Sequence, residues 1–147
     1  MHIIDLLLLH TAATWALVGL TWTIQRVQYP GFSFISTADF APSHKLHSAR
    51  ITWIVAPFMA CELISGLALL WYRPPGVSQN AVWVGMALIA VNWVCTAFVS
   101  IPLHKQLSAR APILQRSLVA SNWVRTAAWS ARGALTLFSL IGALGAT

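Results

Sequence analysis

Ser121-Asn122-Trp123-Val124-Arg125-Thr126-Ala127-Ala128-Trp129-Ser130-Ala131-Arg132 is the polar stretch of an otherwise apolar C-terminal run. On a helix, Asn122, Arg125, Trp129 and Arg132 sit within an arc of roughly 80°, at about 100° per residue, and so form one stripe. An arginine in a membrane helix costs roughly 2.5–3.5 kcal/mol on insertion scales. Two on one face are therefore expected to look into a bundle interior, a watery cavity or a partner acid.

The rest of the chain has membrane composition. Of 147 residues, 58% are hydrophobic and 8% charged, with eight Trp. A soluble domain carries about 25% charged residues. One compact unit over residues 1–147 is expected, with almost no extramembrane domain. The basic balance could point to nucleic acid, but nine Lys plus Arg against three acids (Asp5, Asp39, Glu62) are scattered through apolar segments and edge loops. Charges that orient a membrane protein explain them better. Cys61 and Cys95 both lie in apolar runs and read as small core residues.

The first apolar segment, about 3–28, stops at Tyr29-Pro30-Gly31. It lacks a basic n-region and carries Asp5 early, which argues against a cleaved signal peptide. It is long enough to span, since about 20 residues suffice. Residues 31–43 are too short and polar to span, so Phe32, Phe34, Ile35 and Phe40 read as an interfacial segment, or one folded back over the bundle end. Pro42-Ser43 reads as a helix start with Ser43 as N-cap. The second helix then runs over about 44–72, with Pro57 as a kink. The third covers about 80–107, loosened near Pro102, and the fourth about 112–145, opened by Pro112. The fold class is all-α: a four-transmembrane-helix bundle with an interfacial segment between helices 1 and 2.

Four spans put the first and third links on one side, with Arg26, Lys45, Arg50, Lys105, Arg110 and Arg116. The other side has Arg73 alone. The positive-inside rule places the six in the cytoplasm and both termini outside. A multi-pass protein of a bacterial inner membrane is expected, in contact with lipid, with no nucleic-acid partner. Gly66, Gly133, Gly142 and Gly145 allow close contacts within the chain, in a homo-oligomer or in a larger membrane complex.

Depth gathers the polar residues. His44, His47, Arg50, His104, Gln25, Gln28 and Tyr29 fall at the inner ends. Asn122 and Arg125 lie in the inner half, and Glu62, Asn92 and Arg132 near mid-depth. A polar pocket opening toward the cytoplasm follows, walled by Trp53, Trp123 or Trp129. Arg132 and Glu62 read as a structural ion pair. His44-x-x-His47 points two rings one way, and His104 is a candidate third metal ligand, although paired interfacial histidines are more often surface residues. The cofactor is read as none, or a single metal ion on these histidines. A carboxylate-bridged di-iron centre wants about four acids and is rejected. Haem held by His10 and His104 is rejected too, because their depths differ by about 20 Å or more at 1.5 Å per residue. Ligation through His47 and His104 stays open. No serine or cysteine sits in a nucleophile elbow, and there is no Gly-rich phosphate loop.

Three motifs carry a resemblance: Tyr29-Pro30-Gly31 after the first helix, Ser100-Ile101-Pro102-Leu103-His104-Lys105-Gln106-Leu107 closing the third, and Ser121-Asn122-Trp123-Val124-Arg125-Thr126 in the fourth. Together they resemble a family of small four-helix membrane proteins that includes the fungal anthrone oxygenases. The resemblance implies oxidation of a phenolic, fused-ring carbon acid by O₂. His104 or His47 would be the base. Arg125 and Asn122 would hold the oxyanion, and Trp53, Trp123 and Trp129 would stack on the flat substrate, with Gln25, Gln28 and Arg50 beside it. The rival reading is a non-catalytic accessory subunit, or a pigment-, cofactor- or lipid-binding component of a larger complex.

Overall fold

The computed structural model describes residues 3–107 and 112–146, without the side chains of 112–115; Arg110 lies outside the described residues. Four helices are long and apolar enough to cross a membrane. We label them α1 (Ile3–Phe34), α2 (Thr37–Trp71), α3 (Gln79–Gln106) and α4 (Pro112–Leu144). Among the described residues there is no strand. The chain is a multi-pass integral membrane protein. Its outer surface says the same: Trp53, Phe98 and Phe138 are 83%, 76% and 73% exposed, an arrangement that suits hydrocarbon and not water.

Two helices share a device. In α1 a π-helical turn covers Ile24–Gln28, and Pro30 follows. In α3 a π-helical turn covers Thr96–Ser100, and Pro102 follows. Proline cannot donate to the carbonyl four residues back, and its ring crowds that carbonyl. The wider turn takes up the misfit, so both helices continue instead of breaking.

The start of α2 departs from the sequence reading. The link itself is short and mostly helical: α1 runs to Phe34, only Ile35 and Ser36 take extended backbone, and Phe32 and Phe40 pack back over the bundle end. Ser43 is not the N-cap. Ser36 is: its Oγ accepts from Asp39 N–H at 3.1 Å and donates to Asp39 Oδ2 at 2.6 Å. Pro42 is tolerated inside the helix because the carbonyl it leaves free belongs to Ala38, which is exposed near the helix end. The reciprocal Ser–Asp cap outweighs that one lost bond. α2 also runs unbroken through Pro57.

At the opposite end, Gly76 turns the chain from α2 to α3 with φ +79°. A Cβ there would come 2.2 Å from the Gly142 carbonyl oxygen of α4. Backbone conformation and space both exclude a side chain. Gly76→Ala is therefore expected to destabilise the protein by at least about 1 kcal/mol, read as a lower thermal unfolding midpoint in detergent. An unchanged midpoint would contradict this packing.

α1 packs between α2 and α4, and α3 packs on α4; the seam between α2 and α3 is the loosest of the four. One buried cluster (Leu6, Leu7, Leu69, Val77, Ala143) closes the Gly76 end, and another (Ile24, Tyr29, Phe32, Phe40, Leu107, Leu118) closes the end that carries Lys45 and Lys105. Near Gly66, α2 approaches α3 and α1 closely: a Cβ there would meet Ile89 Cδ1 at 2.9 Å and His10 Cε1 at 3.2 Å. From that point toward the basic end, a cavity opens between α2 and α3.

Candidate functional site

The two arginines of the α4 stripe have opposite surroundings. Arg132 is fully paired. Its Nε donates to Glu62 Oε1 at 2.8 Å, and its terminal nitrogens donate to the Gly85 carbonyl and to His10 Nε2. An arginine can only donate, so His10 Nε2 accepts, and the ring carries its proton on Nδ1. That proton goes to Ser65 Oγ at 2.7 Å, and Ser65 donates to the Cys61 carbonyl at 2.6 Å. Glu62 also accepts from Thr14 Oγ1 at 2.9 Å and from Trp129 Nε1 at 3.1 Å. Gly85 is needed because a Cβ would lie 2.7 Å from Arg132 Nη1. This network ties all four helices together, and its polar groups satisfy one another.

Arg125 is buried but not satisfied. It is 6% exposed and lines the cavity. Its Nε has no partner, and Nη1 reaches Asn122 Oδ1 only at 3.5 Å. Its guanidinium carbon stands 5.1 Å from the centre of the Trp129 ring. Among the described residues no carboxylate pairs with it. Cation–π contact supplies about 2 kcal/mol when desolvated, less than the several kcal/mol lost on taking an ion out of water. An unmatched positive charge on a cavity wall favours an anion.

Three histidines line the same cavity. His44 and His47 come from one face of α2, and His104 from the last turn of α3. His44 Nε2 and His104 Nδ1 share a hydrogen bond of 2.9 Å, and Ser48 Oγ lies 3.3 Å from the same His104 nitrogen. The two rings stack with centroids 5.0 Å apart. Phe40 stacks on His44 at 5.7 Å, while Phe32 meets Phe40, His44 and His47 edge-on. Phe32 is 1% exposed and Phe40 is fully buried. The residues around the α1–α2 break thus form an apolar plug that fixes the histidine rings.

The cavity encloses about 660 Å³. His44, His47 and His104 line it with Lys45, Ser48 and Lys105 at one end; Val55, Ala56, Met59 and Trp93 line the other, and Tyr29 and Arg125 line it from α1 and α4. Ser100 also lines it, and its buried Oγ has no partner.

Of the residues expected at the site, the structure gathers His104, His47, His44 and Arg125 around one cavity. The others lie elsewhere. Trp53 is 83% exposed and lies off the cavity, on a surface that suits hydrocarbon. Trp123 is 41% exposed and packs edge-on against Trp22 at 5.6 Å. Trp129 is fully buried beneath Arg125 and held by Glu62, so it is a platform and not a stacking surface for a ligand. Arg50 is exposed off the cavity, and Gln28 is half-buried off it. Asn122 and Gln25 bond each other, Asn122 Nδ2 donating to Gln25 Oε1 at 2.7 Å. Asn122 is fully buried and meets Arg125 from behind, which makes it a positioning residue. The pocket is polar at its basic end, where Lys45 and Lys105 line it and are exposed, and the Phe32–Phe40–Leu107 cluster packs at that same end of the bundle. The three-histidine ligand set is not assembled. His44 and His104 spend their facing nitrogens on each other, and among the described residues no three His, Cys, Asp or Glu side chains are grouped to hold a metal ion.

Ser48 and Ser100 line the cavity without having been given a role in it, and Tyr29, expected at this depth, lines it too. Ser48 and Ser100 each stand four residues from a cavity histidine, a spacing that brings side chains onto one helix face. Tyr29 is placed by the π-turn, which no sequence period reveals. No family model, no curated protein and no solved structure compared with the chain matches it.

Proposed function

We propose that the cavity binds a lipid-soluble phenolic carbon acid and promotes its oxidation by O₂. The observation that carries this is one buried, unpaired guanidinium lining the same cavity as a hydrogen-bonded histidine pair. A neutral imidazole accepts the proton of an acidic C–H or O–H. Arg125 then holds the resulting oxyanion in surroundings of low dielectric, where the attraction is strong. Delocalised over the rings, the anion gives electrons to O₂. In sum a ring-flanked CH₂ and one O₂ become C=O and H₂O. The motifs shared with the anthrone-oxygenase group support this choice of substrate.

The orientation follows the same charges. Arg26, Lys45, Arg50, Lys105 and Arg116 belong to the ends of helices that share one side, and Arg73 to the other; the basic end is assigned to the cytoplasm of a bacterial cell.

The test is O₂ uptake by the detergent-purified protein given a fused-ring anthrone, with quinone absorbance followed in parallel. One O₂ per substrate is expected. His104→Gln should slow turnover by about 10²–10⁴-fold, the usual share of a positioned base. Uptake no faster than in protein-free detergent would reject the chemistry. Binding without turnover would favour the second reading, a non-catalytic lipid- or pigment-binding subunit, which the largely apolar wall of the cavity supports.

A further inference from the structure

The cavity is a groove along the α2–α3 seam, and its polarity is graded. Ala41 to Met59 line one side of it, a length of about 27 Å at 1.5 Å per residue. That is longer than one leaflet, half of the hydrocarbon thickness of about 30 Å, so the groove can hold an extended chain with its polar end at headgroup level. The polar wall, with Lys45 and Lys105 exposed at its edge, lies at the helix ends. The apolar wall of Met59 and Trp93 lies near the depth of the Glu62 network. Ala56 and Trp93 line the groove and are also exposed on the lipid-facing surface. The groove therefore has a side opening at membrane depth in addition to its basic end, where Lys45 and Lys105 line it and are exposed.

Polar at the surface and apolar at depth is also the gradient of a single bilayer leaflet. We propose that the groove takes its ligand sideways from that leaflet, and that the ligand is a phenol with a long apolar tail. It enters between α2 and α3 in the orientation it already has in the membrane, with no need to flip. The acidic head reaches Arg125 and the histidine pair, and the tail lies along Met59 and Trp93. Charge complementarity sets the head: the only unpaired buried cation among the described residues is on the wall at that level. This assignment rests on the reading of the cavity as a phenol site and adds the tail and the route.

A long-chain alkylphenol with a diazirine at the tail end tests it, photolysed with the protein in phosphatidylcholine vesicles. Label is expected on Met59 and Trp93, and unlabelled alkylphenol should remove it. Ala56→Trp, which fills the side opening, should cut that label at least tenfold. If Ala56→Trp does not fold, Thr52→Phe at the same wall serves in its place. Label spread evenly over Trp53, Phe98 and Phe138, or undiminished in both variants, overturns the proposal. The two readings fail separately. Labelling as expected without O₂ uptake sinks the oxidation alone; O₂ uptake with a tailless anthrone but no groove label sinks the tail and route alone.

Discussion

Glu62→Leu is expected to lower stability by about 3–5 kcal/mol, the usual cost of leaving one partner of a buried pair without the other. Arg132 would keep its charge inside the bundle with only the Gly85 carbonyl and His10 as acceptors. Thr14 and Trp129 would each lose the acceptor they now use, at about 1 kcal/mol or more per stranded donor. Intrinsic fluorescence during thermal or denaturant unfolding in detergent would measure the loss. The double variant Glu62→Leu/Arg132→Met should recover most of it, because the stranded charge is then gone. A single variant within about 1 kcal/mol of the parent, or a double variant worse than the single, would show that this network is not what fastens the four helices.

Arg125→Met should act in the opposite sense on stability. The guanidinium is buried with Nε unpartnered, so removing it discards a desolvated charge and exposes no carboxylate. Methionine fills much of the same space beside Trp129. Stability is expected to hold or to rise by about 1 kcal/mol, since a buried unsatisfied group costs about 1–3, while affinity for a phenolate falls at least tenfold. Functional sites are where stability is commonly forgone. Equilibrium binding of a fluorescent naphthol, measured beside unfolding of the same sample, gives both numbers. A destabilised Arg125→Met with unchanged binding would show Arg125 to be structural glue.

Both arginines stand out in the sequence, and their shared stripe is real: Asn122, Arg125, Trp129 and Arg132 are all buried. Helical period alone determines that. It does not determine that two guanidiniums only seven residues apart lie in opposite environments. That depends on which carboxylate and which carbonyl the other helices bring, and Gly85 matters there only because α3 approaches α4. The same limit explains the tryptophans. Trp53, Trp123 and Trp129 suggested stacking walls, but in a membrane an indole is at home facing either way, so sequence gives no preference between lipid and cavity. Trp53 went outward and Trp129 inward. The histidines were legible as a cluster by depth, since His44, His47 and His104 sit near helix ends that meet. Their pairing was not, because it depends on the Phe32–Phe40 plug formed when α1 overruns its proline.

By itself, then, the chain's apolar runs and prolines determined four spans, their order, and which ends carry the basic charge, because hydrophobic length and backbone bonding are local properties. The tertiary structure alone decided where the bundle is loose, which arginine is left unpaired, and where a cavity lies between the helices. Those properties arise from how unequal helix surfaces divide the available contacts, and no one helix carries that information.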